Sequence, residues 1–78
     1  MNISKSNFEN EGEVDFTAHH KEGNKIGRVS LRRKNNRYEV YVYWFREKKE
    51  EILHHSEKLS DCIDFTNARF GLNDKVAD

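Results

Sequence analysis

Five side chains of the types that bind transition metals occur in this chain as two histidine pairs and a single cysteine. They are His19, His20, His54, His55 and Cys62. Imidazole nitrogen and thiolate sulfur are the ligands of most protein zinc sites, and a carboxylate from Asp61 or Asp64 can complete such a set. Because neighbouring residues of a strand point to opposite faces, each pair offers one imidazole to either face. These residues predict a zinc site, with surface histidines and a buried unliganded cysteine as the alternative.

Basic residues with nearby tyrosines form the second candidate site. Residues 25 to 37 contain six Lys or Arg and no acid, although the whole chain has 14 basic and 14 acidic residues. Arg and Tyr on an open sheet surface are typical of binding hot spots and of phosphate or base contacts. The alternative is a solvated sheet whose tyrosines pair across strands. The residues predicted to bind a partner are Arg28, Arg32, Arg33, Lys34, Arg37, Tyr41, Tyr43 and Phe45.

Catalytic chemistry has little support in the sequence. Cys62 falls on the apolar stripe of a predicted helix, where burial keeps a thiol protonated and unreactive. The chain has no glycine-rich phosphate loop and no pair of carboxylates that stands apart from its charged surface runs. We therefore expect a protein that is not an enzyme. The single cysteine excludes an internal disulfide, and no apolar run is long enough for a signal peptide or a membrane span, which favours the cytoplasm.

The strands that position these residues follow from hydrophobic periodicity. Alternation of apolar and polar residues predicts four strands, with Val14, Phe16 and Ala18 on one face of the first. The third strand is apolar on both faces, which suits the middle of a sheet. Asn35 and Asn36 predict a two-residue hairpin turn, since asparagine tolerates the left-handed conformation. The predicted strands cover residues 13–20, 26–34, 37–45 and 51–55.

A helix is predicted after the last strand, from apolar residues that recur every three or four positions. Its apolar face consists of Leu59, Cys62, Ile63, Thr66 and Phe70. Ser56 or Ser60 is expected to cap its start and Gly71 to end it. The predicted fold is α+β, an antiparallel four-stranded β-meander with one C-terminal helix packed on one face. Its parts are a flexible N-terminal arm at 1–12, the domain at 13–72 and a polar tail at 73–78.

Residues 26–71 have an order of three strands and a helix that contains Ala68. The strand stretches are Gly27-Arg28-Val29-Ser30-Leu31-Arg32-Arg33, Arg37-Tyr38-Glu39-Val40-Tyr41-Val42 and Glu51-Ile52-Leu53-His54-His55. This order resembles AP2-like and integrase arm-type DNA-binding domains. The resemblance implies that the sheet enters the major groove and reads its sequence. The implied DNA contacts are Arg28, Arg32, Lys34, Arg37 and Tyr41.

The size and composition of the chain carry a second resemblance. A short, proline-free chain rich in Asn, Lys, Glu and Ile is similar to the small phage-encoded inhibitors of bacterial defence, anti-CRISPR proteins in particular. The resemblance implies stoichiometric binding to a nucleoprotein effector such as a Cas nuclease in the host cytoplasm, with no membrane partner. We expect this non-enzymatic inhibitor first and a sequence-reading DNA-binding domain second. An apolar patch around Tyr43 and Phe45 leaves monomer and homodimer both open.

Overall fold

The computed structural model describes residues 2–77, apart from the side chains of residues 15–18, so the predicted facing of Phe16 and Ala18 lies outside the described residues. The elements are β1 (Asn2–Ile3), a 3-10 helix (Lys5–Phe8), β2 (Glu13–Glu22), β3 (Lys25–Lys34), β4 (Arg37–Trp44), β5 (Lys49–Ser56), α1 (Leu59–Phe70) and β6 (Lys75–Val76). Strands β2 to β5 form a four-stranded antiparallel sheet in chain order, and β1 pairs with β6 in a separate parallel ladder. The α+β class, the antiparallel sheet and the C-terminal helix are confirmed. The predicted total of four strands is wrong, because the two chain ends add a further pair.

The hairpin of β3 and β4 is the one ladder of the main sheet without a register shift. Asn35 and Asn36 turn the chain with φ of 55° and 64°, in agreement with their tolerance of the left-handed region. At the other end of the hairpin, Gly27 lies opposite Trp44. A Cβ atom at Gly27 would lie 2.6 Å from Val42 Cγ2 and 3.0 Å from Trp44 Cε3. Glycine therefore allows the tryptophan to pack against the backbone of the neighbouring strand.

The hydrophobic core lies between α1 and one face of the sheet. Val29, Leu31, Val40 and Val42 lie opposite one another in β3 and β4 and are completely buried. The helix buries four residues at the predicted spacing, which puts them on one side of α1. These are Leu59, Cys62, Ile63 and Thr66. Packing against the sheet therefore explains why this short segment is helical.

The two ends of α1 differ in how well the sequence predicts them. Gly71 ends the helix with a left-handed φ of 66°, as expected of a C-terminal glycine. The residue that precedes the first turn is Lys58, and no side chain accepts from the helix N–H groups there. The expected serine cap is wrong, because the Ser56 hydroxyl instead accepts from the Lys58 N–H, ahead of the helix.

The N-terminal segment, residues 2–8, contributes two side chains to the core. Ile3 and Phe8 are completely buried, and the Phe8 ring meets the edge of Tyr38 with centroids 5.5 Å apart. The C-terminal segment closes over the same end of the molecule, since Ala77 N–H donates to the Ile3 carbonyl at 2.9 Å. The core therefore includes Ile3 and Phe8, with Val76 packed against it, although all three lie outside the expected domain at 13–72. The space between one helix and one sheet is open at its ends, and Ile3 and Phe8 cover one of them.

Phe8→Ala tests this role of the N-terminal segment. Truncation of a buried phenylalanine removes apolar contacts and leaves a cavity, so we expect a loss of about 3–5 kcal/mol in the free energy of unfolding. Urea titration followed by circular dichroism measures the loss. Phe45→Ala is the matched control, because Phe45 is 46% exposed, and at low protein concentration it should change the stability by less than about 1 kcal/mol. Equal effects of the two substitutions would contradict a buried Phe8.

Candidate docking surface

We call the sheet face opposite α1 the open face. Directly opposed residues of an antiparallel ladder point to the same side, so the strand register defines rows across this face. Three rows cross β3, β4 and β5: Arg32–Glu39–His55, Ser30–Tyr41–Ile52 and Arg28–Tyr43–Glu50. Strand β2 extends all three rows, with Glu13 opposite Arg32, Asp15 opposite Ser30 and His19 opposite Arg28 in the strand register. Basic, acidic and aromatic residues therefore alternate on one surface.

Glu39 holds two of the predicted partner-binding arginines by ion pairs. Its Oε1 accepts from Arg32 Nε and its Oε2 from Arg37 Nη2, both at 3.0 Å, and its side chain is almost completely buried. Arg32 also donates through Nη1 to Glu50 Oε2 at 2.9 Å. Burial alone raises the pKa of Glu39, but the hydrogen bonds from the two arginines outweigh it and hold the pKa below its usual value. The charges of Arg32 and Arg37 are therefore largely matched within the protein.

Tyr41 is also part of this internal network. Its side chain is only 4% exposed, and the Arg32 guanidinium carbon lies 4.3 Å from its ring centroid. Burial, followed by a hydrogen bond with Glu13, raises the pKa of Tyr41 to about 12. A cation–π contact of this kind fixes the arginine over the ring. Tyr41 therefore supports the open face from below and is not a free hydrogen-bonding group on it.

The remaining predicted basic residues do not form a continuous stripe. Arg33 lies opposite Tyr38, whose ring belongs to the core, so Arg33 is on the helix side of the sheet. Lys34 is exposed at the end of β3, next to the turn, and Arg28 is exposed in the row of Tyr43. Counting charges along the sequence overlooks this division, because alternate residues of a strand face opposite ways.

The exposed apolar side chains are concentrated on the open face. They lie around the end of the sheet away from the Asn35–Asn36 turn, and Tyr43 and Phe45 are in edge contact with ring centroids 6.1 Å apart. Phe45 N–H donates to the Ile26 carbonyl at 3.0 Å, which fixes the chain where it leaves β4. We call these residues the apolar patch: Ile26 (51% exposed), Tyr43 (38%), Phe45 (46%) and Ile52 (45%). Beside the patch is a shallow depression of about 390 Å³, bordered by Arg28 and Glu50.

Two members of the apolar patch were not among the predicted partner-binding residues. Ile26 has the same parity as Arg28 and therefore the same facing, so alternation alone could have identified it. Ile52 could not be placed in this way, because the pairing of β4 with β5 shifts between Val40 and Tyr41. The buried acid Glu39 was also overlooked, since its arginine partner Arg32 becomes its neighbour only through the strand register.

The predicted zinc ligands lie on different parts of the molecule. His20 is on the helix side, 5.5 Å from the ring of Trp44, in an edge strand of the sheet. His54 is in the other edge strand, where its ring stacks on Phe65 at 4.6 Å and its Nε2 lies 3.4 Å from Asp61 Oδ2. The partners of these two in the sequence, His19 and His55, are on the open face. The histidine pairs thus occupy opposite edges of the sheet.

Cys62 lies in the core, away from the histidines of the open face. Its thiol is 3.6 Å from the Tyr38 carbonyl oxygen, and burial, together with the charge of Asp61, raises its pKa to about 12. A protonated thiol is neither a good metal ligand nor a nucleophile. Within residues 2–77, setting aside the undescribed side chains, no three His, Cys, Asp or Glu groups are placed to hold a metal ion. The zinc site therefore stays a prediction without geometric support.

Comparison with known proteins adds no relative. No protein-family model matches the chain, and no curated protein or solved structure matches it. Across the part of the chain with assigned structure, α1 is the only α-helix, and no helix is long and apolar enough to cross a membrane.

Glu39→Gln tests whether the buried ion pairs stabilise the fold. The pKa of Glu39 lies below its usual value in the folded protein, so its ionised form adds stability above the unfolded pKa, and this contribution is lost as the pH falls through the folded pKa. We expect the variant to lose about 2 kcal/mol at neutral pH. The loss should shrink as the pH falls below about 4.3, the ordinary pKa of a glutamate, and on through the lowered pKa of Glu39. Urea unfolding of both proteins at neutral pH and across this acidic range measures it.

Glu50→Gln is the matched control for this substitution. Glu50 has a side chain 46% exposed and receives one bond from Arg32, so we expect its loss to be no more than about 0.5 kcal/mol. Equal losses for the two variants, or a loss in Glu39→Gln that is unchanged in acid, would contradict the stabilising role of the pairs around Glu39.

Proposed function

We propose that this protein is a non-enzymatic binding protein that docks through its open face onto another protein. The observation that carries the proposal is the apolar patch beside arginines that already have carboxylate partners. Large exposed apolar side chains bordered by polar groups mark interaction sites, and tyrosine and arginine are enriched among the residues that dominate binding energy. Tyr43 and Phe45 are the aromatic members of the patch and hence its expected anchors.

The polar part of the open face is suited to specificity more than to binding strength. Arg32, Glu39 and Arg37 are fixed by ion pairs before a partner arrives. A pre-ordered surface loses less side-chain entropy on binding, and paired charges are poor counterparts for a partner with a single sign of charge. A partner that buries the apolar patch needs both positive and negative groups opposite Arg32, Glu39 and Arg37. Surfaces with both signs of charge are typical of proteins, whereas nucleic acids carry one sign.

The partner class that we propose is a nucleoprotein effector such as a Cas nuclease. The likeness of the chain in size and composition to anti-CRISPR proteins is the support for this class, and the open face is the support for docking. The protein then acts as an inhibitor by occlusion: one bound copy keeps the effector from its nucleic acid. No catalytic step is required, since binding at equal stoichiometry is sufficient.

The DNA-binding alternative has weaker support from the same surface. Of the DNA contacts that the AP2-like resemblance implies, Arg32 and Arg37 are ion-paired and Tyr41 is buried. Releasing an arginine from a buried carboxylate to bind a phosphate costs the pairing that it already has. Arg28 and Lys34 are exposed. A groove-reading domain therefore stays the second candidate.

Inhibition of DNA cleavage by guide-loaded Cas nucleases tests the proposal. We expect at least one purified effector to lose activity as the protein reaches about one equivalent, because occlusion is stoichiometric. Tyr43→Ala with Phe45→Ala should raise the concentration needed by about 30-fold, the effect of losing roughly 2 kcal/mol at binding hot spots. Arg69→Ala, an exposed position on α1, is the control and should inhibit like the original protein.

Two outcomes contradict this function. Inhibition at far less than one equivalent indicates catalysis and not occlusion. Tight binding to duplex DNA that weakens steeply with salt, without a complex with any effector, supports the groove-reading domain, and the slope of that salt dependence counts the phosphates contacted. Fluorescence anisotropy with labelled duplex at two salt concentrations distinguishes the second outcome.

A further inference from the structure

The open face has the composition of a surface that can bind a copy of itself. A two-fold interface brings the same surface together twice, so it must carry both members of each complementary pair. On this face Arg28 and Lys34 of β3 are exposed and basic, whereas the acids Glu13 and Glu50 lie on the outer strands β2 and β5. We propose that the open face seats a second copy of this chain, so that the free protein is a face-to-face dimer. This inference rests on the proposed function, because it names a second occupant for the surface that is proposed to bind a partner.

A two-fold axis parallel to the strands, between β3 and β4, gives the pairing. Rotation about this axis leaves the position of each row along the strands unchanged, and it places β3 of one copy over β4 of the other. Ile26 then lies over Phe45 of the second copy, and Arg28 lies over Tyr43. In the outer strands, Glu50 of β5 lies over His19 of β2. One apolar pair, one contact of a guanidinium with an aromatic ring and one contact of a carboxylate with an imidazole thus form twice, whereas Ile52 lies over β2 at the level of Asp15.

The area of the open face fits a small specific dimer. Four strands about 4.8 Å apart and roughly 30 Å long give a face of about 600 Å², or about 1,200 Å² for two copies. Specific interfaces begin at about 1,000 Å² of total buried surface. The molecule is thin for its length, with principal extents of 37 × 25 × 17 Å. Stacking on the open face would cover the second side of β4, a strand in which Tyr43 is the exposed residue.

The exposed apolar residues point to the same face. The large hydrophobic side chains exposed in the part of the chain with described side chains are the four of the apolar patch. The helix side offers no comparable surface among these residues, since its apolar groups pack in the core. A dimer of this size with a modest apolar centre should dissociate in the micromolar range, on the order of 1–10 µM.

Sedimentation equilibrium of the full chain tests the dimer. Between about 2 µM and about 200 µM, mass action should raise the average mass by several kilodaltons, toward twice the monomer mass of 9.3 kDa. Phe45→Asp places a charge in the apolar patch and should raise the dissociation constant at least about tenfold. Glu50→Lys, which replaces the carboxylate over His19 of the second copy with a cation, is a second variant that should weaken it. Arg69→Glu on α1 is the control and should dimerise like the original protein. Circular dichroism checks that each variant folds.

The outcomes separate the dimer from the proposed function. A chain that remains a monomer at about 200 µM overturns the dimer, whether its open face then binds an effector or a nucleic acid. If that monomer inhibits an effector and Phe45→Asp does not, the proposed function stands without the dimer. If the original protein dimerises and the monomeric Phe45→Asp variant inhibits equally well, the dimer stands and the proposed docking of an effector on this face is wrong. Dimerisation unaffected by either open-face variant also overturns the inference, because the contact would then lie elsewhere.

Discussion

The ion pairs around Glu39 are the interaction on which the open face depends. A helix of 12 residues spans about 18 Å, whereas the longest strands, of ten residues, span about 33 Å. The single helix therefore covers one side of the sheet and leaves the other to its own side chains. Glu39 fixes Arg32 and Arg37, and Arg32 covers the ring of Tyr41. Within this layer the carboxylate of Glu39 has partners on both oxygens, whereas Arg37 Nε is buried without a hydrogen bond to any described residue.

The same layer decides which part of the open face is available for binding. Where the ion pairs lie, the charges are matched and the aromatic ring is covered, so little energy is gained from a further partner. Toward the other end, around Tyr43, the apolar patch begins. A surface with an ordered polar half and an exposed apolar half favours a protein over a polyanion.

Periodicity in the sequence was sufficient to predict the main sheet and the helix, because each has a long regular pattern. The turn at Asn35 and Asn36 and the end of α1 at Gly71 were predictable for the same reason, as both require a left-handed backbone. The opposition of Arg32 and Glu39 follows from the same two-residue turn, which fixes the register of β3 and β4. The second ion pair of Glu39, with Arg37, was not predictable, since it depends on where the side chains lie. The burial of Ile3 and Phe8 was missed because a segment of eight residues carries too few apolar positions to show a period.

Both proposals require the open face to be the contact surface of this protein. Amide chemical shifts recorded by nuclear magnetic resonance on dilution of the free protein test it most directly, because they locate a contact residue by residue. We expect concentration-dependent shifts at Ile26, Arg28, Tyr43, Phe45 and Ile52, with those of α1 unchanged. Shifts centred on α1, or no shifts between about 200 µM and about 2 µM, would contradict a self-complementary open face.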